Sequence, residues 1–274
     1  MAGIADRFVL AVFLAVLCLA APAGAQPPSG KDWALTFEDD FGGPVTNGEL
    51  DGYALDFERW RPLSGTIDKI LSERTPANLV YRGGMLRLVN RHETSHGKEW
   101  TSAKMESRDF RQIYGYYEAR MRYAGVAGIM NRFSLHTDAE TGPAWFGIDI
   151  NDGAFPDNIT VDLRLRGDSA GRRKTYAGAA DLSRDFHVYG LEWLPGEDGL
   201  STLNFYFDDR LIHSMTCALC NRPVKVILTT AVVGGKGPIT TALDGKSMDV
   251  DYVRVYQLKP VLDQFPPVFD RPQN

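Results

Sequence analysis

Two carboxylates three positions apart, Asp149 and Asp152, lie in the run Phe146-Gly147-Ile148-Asp149-Ile150-Asn151-Asp152-Gly153. Such a pair can divide general acid and base work, one member giving a proton and the other taking one, provided both reach the same reacting group. The run alternates as a strand does, and alternation sends residues an odd number apart to opposite faces. Asp149 and Asp152 therefore share a face only if a bulge at Ile150-Asn151 inserts an extra residue. An aspartate between two isoleucines costs stability unless it is hydrogen-bonded or lines a wet cleft, which favours a functional face. The plainer alternative makes both acids polar residues of a strand end, with Asp152-Gly153 as a turn pair.

The elements that must position this run are strands. Alternating or compactly apolar stretches rich in aromatic and β-branched residues recur at Leu35–Phe41, Met85–Asn90, Gly115–Tyr123, Phe146–Ile150, Thr160–Arg164, His187–Trp193, Leu203–Phe207, Val224–Val232 and Met248–Gln257. Turn chemistry (RGG, PDN, PGEDG, FDDR) separates them, and no stretch sustains a capped helical period. This spacing predicts an all-β fold, one sandwich or jelly roll of two curved antiparallel sheets.

The order of the strand motifs is more specific. LTFEDDF, WTSAKMESRDFRQIYGYYEARMRY, DFHVYGLEWLPG with LNFYFDDRLIH, VKVILTTAVVGG and SMDVDYVRVYQ follow one another along residues 35 to 257. In this order the sequence resembles glycoside hydrolase family 16, the laminarinase, lichenase and agarase group with a concanavalin-like jelly roll. The resemblance implies a concave face that takes a β-linked polysaccharide, a β-glucan or an exopolysaccharide. Tyr114, Tyr116, Trp145, His187, Glu192 and Trp193 are the candidate substrate-binding residues, rings to stack on sugars and polar groups to take hydroxyls. The family's catalytic strand reads E-I-D-I-x-E, with a nucleophilic first Glu, an orienting Asp and a last Glu as acid and base of a retaining mechanism. On that pattern Asp149 matches the central Asp, and Asp152 stands where the acid and base would be, one methylene shorter. Gly147 occupies the nucleophile position and offers no carboxylate. The upstream segment departs too: Gly128-Ile129-Met130-Asn131-Arg132-Phe133-Ser134 stands where the family has G-x-W-P-A-x-W, and both tryptophans are gone.

Three functions follow from this reading: a glycan-binding protein without turnover, a weak or altered-mechanism endo-β-glycanase, inverting among its options, using Asp149 and Asp152, and a scaffold in envelope polysaccharide assembly. Glu118 and Lys104 read as solvated charges on half-exposed strands. The resemblance allows a structural calcium near Asp251, and no other metal or cofactor is expected. The net charge of -5 is interspersed, with no basic run to suit nucleic acid.

Residues 1–25 carry Arg7, the apolar stretch Phe8–Ala21 and the small-residue site Ala23-Gly24-Ala25, the pattern of a cleaved secretory signal. The expectation is a secreted or periplasmic protein with no membrane span in the mature chain. Segment 26–34 leads into a domain at 35–258, and 259–274 is a Pro-rich tail. In an oxidising compartment Cys217 and Cys220 are expected to form a local disulfide.

Overall fold

The computed structural model describes residues 26–42, 56–138, 144–167, 172–178 and 180–269; the expected signal segment lies outside them. Each run read as a strand is one, and the observed ends move by a few residues. Phe146–Ala154 extends past Ile150 because the pairing continues beyond the bulge, and Trp33–Asp39 starts earlier than expected. The strands Ile129–His136 and Arg210–Cys217 complete the pattern.

Two large sheets form. The first has the order Lys174–Ala177, Asn158–Leu165, Phe146–Ala154, Ile129–His136, Lys225–Val232, Lys104–Ser107, Trp60–Pro62. The second runs Arg210–Cys217, Ser201–Phe207, His187–Leu194, Gly115–Arg122, Ser247–Leu258, Leu86–Val89, Leu79–Tyr81, with Trp33–Asp39 also pairing along Ser247–Leu258. Neighbouring strands within both sheets are antiparallel. This is the expected jelly-roll sandwich.

Alternation fills the space between the sheets. Phe146 and Ile148 point inward from one sheet, and Tyr117, Tyr189, Leu191 and Trp193 from the other, all fully buried. Phe146 meets the Trp193 ring edge-on at 6.0 Å. Burying such side chains contributes about 1.5–3 kcal/mol each. The alternate residues of each strand are thereby committed to the outer faces.

The segment read as a tail is partly built into the fold. Lys259–Leu262 forms a helical turn, and Val268–Phe269 pairs with Phe110–Arg111. Cys217 and Cys220 form a disulfide. Among the described residues no helix is long and apolar enough to cross a membrane.

Candidate functional site

The bulge on which a shared face depends is present. Phe133 pairs with Asn151 and Ser134 with Asp149, so Ile150 is the extra residue. Ile150 joins the core, and Asn151 also turns inward, accepting a hydrogen bond from the Tyr123 hydroxyl at 2.8 Å and donating to the Asn131 carbonyl at 3.0 Å. Two consecutive inward residues return Asp152 to the outer face beside Asp149. The next residue must be small, because a Cβ at Gly153 would lie 2.0 Å from the Tyr123 hydroxyl oxygen.

Arg132 shows that the two carboxylates share one face. Its Nη2 is 3.2 Å from Asp152 Oδ2 and its Nε 3.8 Å from Asp149 Oδ1. Further cations close over each acid. Arg164 Nη2 donates to Asp149 Oδ1 at 2.8 Å, and Arg173 Nη2 donates to Asp152 Oδ2 at 2.8 Å. Lys236 Nζ lies 3.1 Å from Asp152 Oδ1. Burial opposes ionisation of Asp152, but Arg132, Lys236 and Arg173 together outweigh it and hold the carboxyl down at about 2. A proton donor needs its pKa near the working pH, so Asp152 is a poor acid. Asp162, opposite Asp149 in the next strand, is displaced the other way, chiefly by burial and then by the Asp149 charge.

Gly147 pairs with His136 on one side and Arg164 on the other. The space in front of it is full: a Cβ would lie 3.0 Å from His136 Cδ2, 3.1 Å from Arg164 Nη2 and 3.2 Å from Trp145 Cζ2. Arg164 also reaches His136 Nε2 at 2.8 Å. Guanidinium only donates, so that nitrogen accepts and the imidazole is neutral. Burial and then the Arg164 charge push its pKa well below the ordinary value, in agreement. The Trp145 ring covers Arg164, its centroid 5.4 Å from the guanidinium carbon. A cation, an imidazole and an indole therefore surround the Gly147 position.

Of the six aromatic and polar candidates, the structure brings only Trp145 to this face. The other five belong to the opposite sheet or its edge, which corrects the expectation of one shared cleft. Tyr114 and Trp193 pack in the core, 5.3 Å apart edge to face. Tyr116 and Glu192 sit across from each other in neighbouring strands of that sheet, where Glu192 holds Lys31 and accepts from Asn204 at 2.9 Å. His187, at the sheet end, contacts Asp208 at 2.7 Å and stacks on Phe207. Alternation tells inward from outward within a strand but not which sheet faces the ligand.

Two charges read as solvated are buried instead. Glu118 is 0% exposed with neither carboxylate oxygen hydrogen-bonded, and Lys104 is 6% exposed on the Asp149 sheet. Asp251 is occupied by Arg120, which donates to it at 2.6 Å. Among the described residues no group of three or more acidic, His or Cys side chains is gathered as a metal site. The arginines are not among the residues the sequence points to, because only the cross-strand register sets Arg132 opposite Asp152 and Arg164 opposite Gly147.

Two stacked antiparallel sheets with a bulged acidic strand on an outer face define a jelly-roll sandwich. Among solved structures, the laminarinase from Rhodothermus marinus superposes with a TM-score of 0.73 at 23% identity over 83% of this chain and 98% of that one. The endo-beta-1,3-glucanase from Pyrococcus furiosus gives 0.72 at 25% identity over 84% and 96%. The sequence profile of glycosyl hydrolases family 16 matches residues 73–254, and the chain belongs to that family. A beta-glucanase from Acetivibrio thermocellus is 26% identical over 187 residues, which are 66% of this chain and 53% of the relative. The endo-1,3-1,4-beta-glycanase EglC of Rhizobium meliloti is 30% identical over 169 residues, 60% of this chain and 35% of the relative. The chain thus spans about half or less of the length of these relatives.

Proposed function

We propose that this protein is an exported glycan-binding member of the family, recognising a β-linked polysaccharide on the Asp149 face without retaining hydrolysis. The observation that carries this reading is Arg164, whose guanidinium stands against Gly147 and is bonded to Asp149. Retaining hydrolysis needs one carboxylate to attack the anomeric carbon and a second carboxyl to protonate the leaving oxygen. Gly147 cannot attack, and Asp152 is held ionised. A β-linked glycan is supported by the relatives, which are named beta-glucanases and endo-1,3-1,4-beta-glycanases. Export is supported by the character of residues 1–25 and by the Cys217–Cys220 disulfide.

A second reading, slow hydrolysis by an altered mechanism, draws on the upward displacement of Asp162, which makes it a better proton donor than Asp152. One experiment separates the two. The purified chain is incubated with laminarin, lichenan and an exopolysaccharide panel, and both retention in affinity electrophoresis and new reducing ends are read. Retention without new ends is the expected result. New ends that disappear in Asp162→Asn would replace the binding reading by hydrolysis.

A further inference from the structure

Across the sandwich from Asp149, the outer face of the second sheet carries a cluster of rings that the Asp149 face does not use. Tyr117, Leu191, Phe205 and Val255 point into the core, so their strand neighbours Tyr116, Glu192, Tyr206 and Tyr256 point out. Tyr116 is the hub, its ring centroid 6.2 Å from that of Trp33, 6.1 Å from Tyr206 and 6.3 Å from Tyr256. It is buried, whereas the three rings around it are partly exposed. Gly190 makes room for this arrangement. A Cβ there would lie 2.3 Å from Tyr116 Oη, so the phenol lies down across a strand position that has no side chain.

A row of polar groups continues the rings. Ser214 Oγ donates to Asn204 Oδ1 at 2.8 Å, Asn204 Nδ2 donates to Glu192 Oε2 at 2.9 Å, and Lys31 bonds the other oxygen of Glu192. Ser214, Asn204, Glu192, Tyr116 and Tyr256 are cross-strand partners in turn. Row and rings therefore form one band across five strands, about 19 Å long at ~4.8 Å per strand spacing. Lys31 and Glu192 are the charged members of the band, and they pair with each other. Partly exposed rings beside amide and hydroxyl groups, with the charges matched, suit a neutral ligand that has apolar faces and polar edges.

We infer that this band is a second carbohydrate-binding surface, which takes a neutral β-linked glycan with its sugar faces on Trp33, Tyr206 and Tyr256 and its hydroxyls on Asn204 and Ser214. It rests on the glycan-binding reading and goes beyond it. The two surfaces belong to different sheets and look away from each other, so a molecule loaded on both joins two glycan chains, or two distant stretches of one.

The test titrates laminarihexaose by calorimetry against the intact chain, against Tyr206→Ala combined with Tyr256→Ala, and against Trp145→Ala. The natural chain should take two equivalents, and each variant should lose one of them. Hydroxyl-radical labelling of the natural chain, read by mass spectrometry, needs no variant to fold: Tyr206 and Tyr256 should lose most of their labelling when the sugar is added. Full stoichiometry in the tyrosine variant, or labelling of both tyrosines unchanged by the sugar, overturns the second surface and leaves the Asp149 face standing. Protection of the two tyrosines that grows with protein concentration in the absence of sugar assigns the band to a second copy of the chain and also overturns it. A single equivalent that survives Trp145→Ala and vanishes in the tyrosine variant keeps this surface and removes the placement on the Asp149 face. Absence of both binding and protection removes the two together.

Discussion

Arg164 donates a hydrogen bond to Asp149 at 2.8 Å from a strand position paired with Gly147, so the cation holding the family's central aspartate also fills the place of its missing neighbour. The position that the resemblance aligns with a nucleophile is therefore closely packed, and a carboxylate placed there would meet His136, Arg164 and Trp145.

Gly147→Glu alone should produce no new reducing ends on any β-glucan. Its Cβ must displace His136, Arg164 or Trp145, and overpacking of this kind costs about 1–3 kcal/mol. Adding Arg164→Ser vacates the space and should recover part of that loss, read as a shift in thermal midpoint between the single and double variants.

Asp152→Asn should destabilise the protein by roughly 3–5 kcal/mol at pH 7, since it leaves Arg132, Arg173 and Lys236 gathered without their shared counter-charge. The sign of the pH dependence follows from its pKa, which falls from 3.8 to about 2 on folding. Its contribution is fully present above 3.8 and is lost as pH drops through about 2. Urea titrations at neutral and strongly acidic pH should show the gap between natural chain and variant closing at the acid end.

Glu118 behaves in the opposite sense. Burial raises its pKa from 4.5 to about 8, so the folded state keeps a proton that the unfolded state releases between those values. Its penalty grows as pH rises through that window. Glu118→Gln should stabilise the protein by on the order of 1–3 kcal/mol at pH 8 and by little at pH 4. Thermal melts at the two pH values check it.

Tyr123→Phe deletes the hydroxyl that holds Asn151 across the sandwich and should cost about 1–3 kcal/mol. Because Asn151 pins the bulge, glycan affinity should fall as well, although Tyr123 lies on the far side of the sheet from Asp152. Calorimetric titration of the folded variant measures this second effect.

The strands were legible because aromatic and β-branched residues alternate between turn signals, whereas the sequence made the bulge only a condition for Asp149 and Asp152 to share a face, and the cross-strand register supplies it. The disulfide could be read from the spacing of Cys217 and Cys220 in a chain expected to be exported. The arginines could not. Arg164 and Arg132 act through cross-strand register, which only folding sets: Gly147 opposite Arg164 and Arg132 opposite Asp152. Glu118 was misjudged for a related reason, since an outward position on a strand says nothing about what later covers it. Tyr116 and Glu192 were placed on the wrong surface because a sandwich has two outer faces with the same alternation.

The pairing of Trp33 with Leu258 and of Phe110 with Phe269 sets a timetable for the molecule's birth. The first strand finds its neighbour only when Ser247–Leu258 has been made, so during synthesis it waits unpaired while most of the polypeptide is still to come. Contacts so distant in sequence close slowly. The sheet that holds the first strand is therefore complete along that edge only after nearly the whole polypeptide has been made.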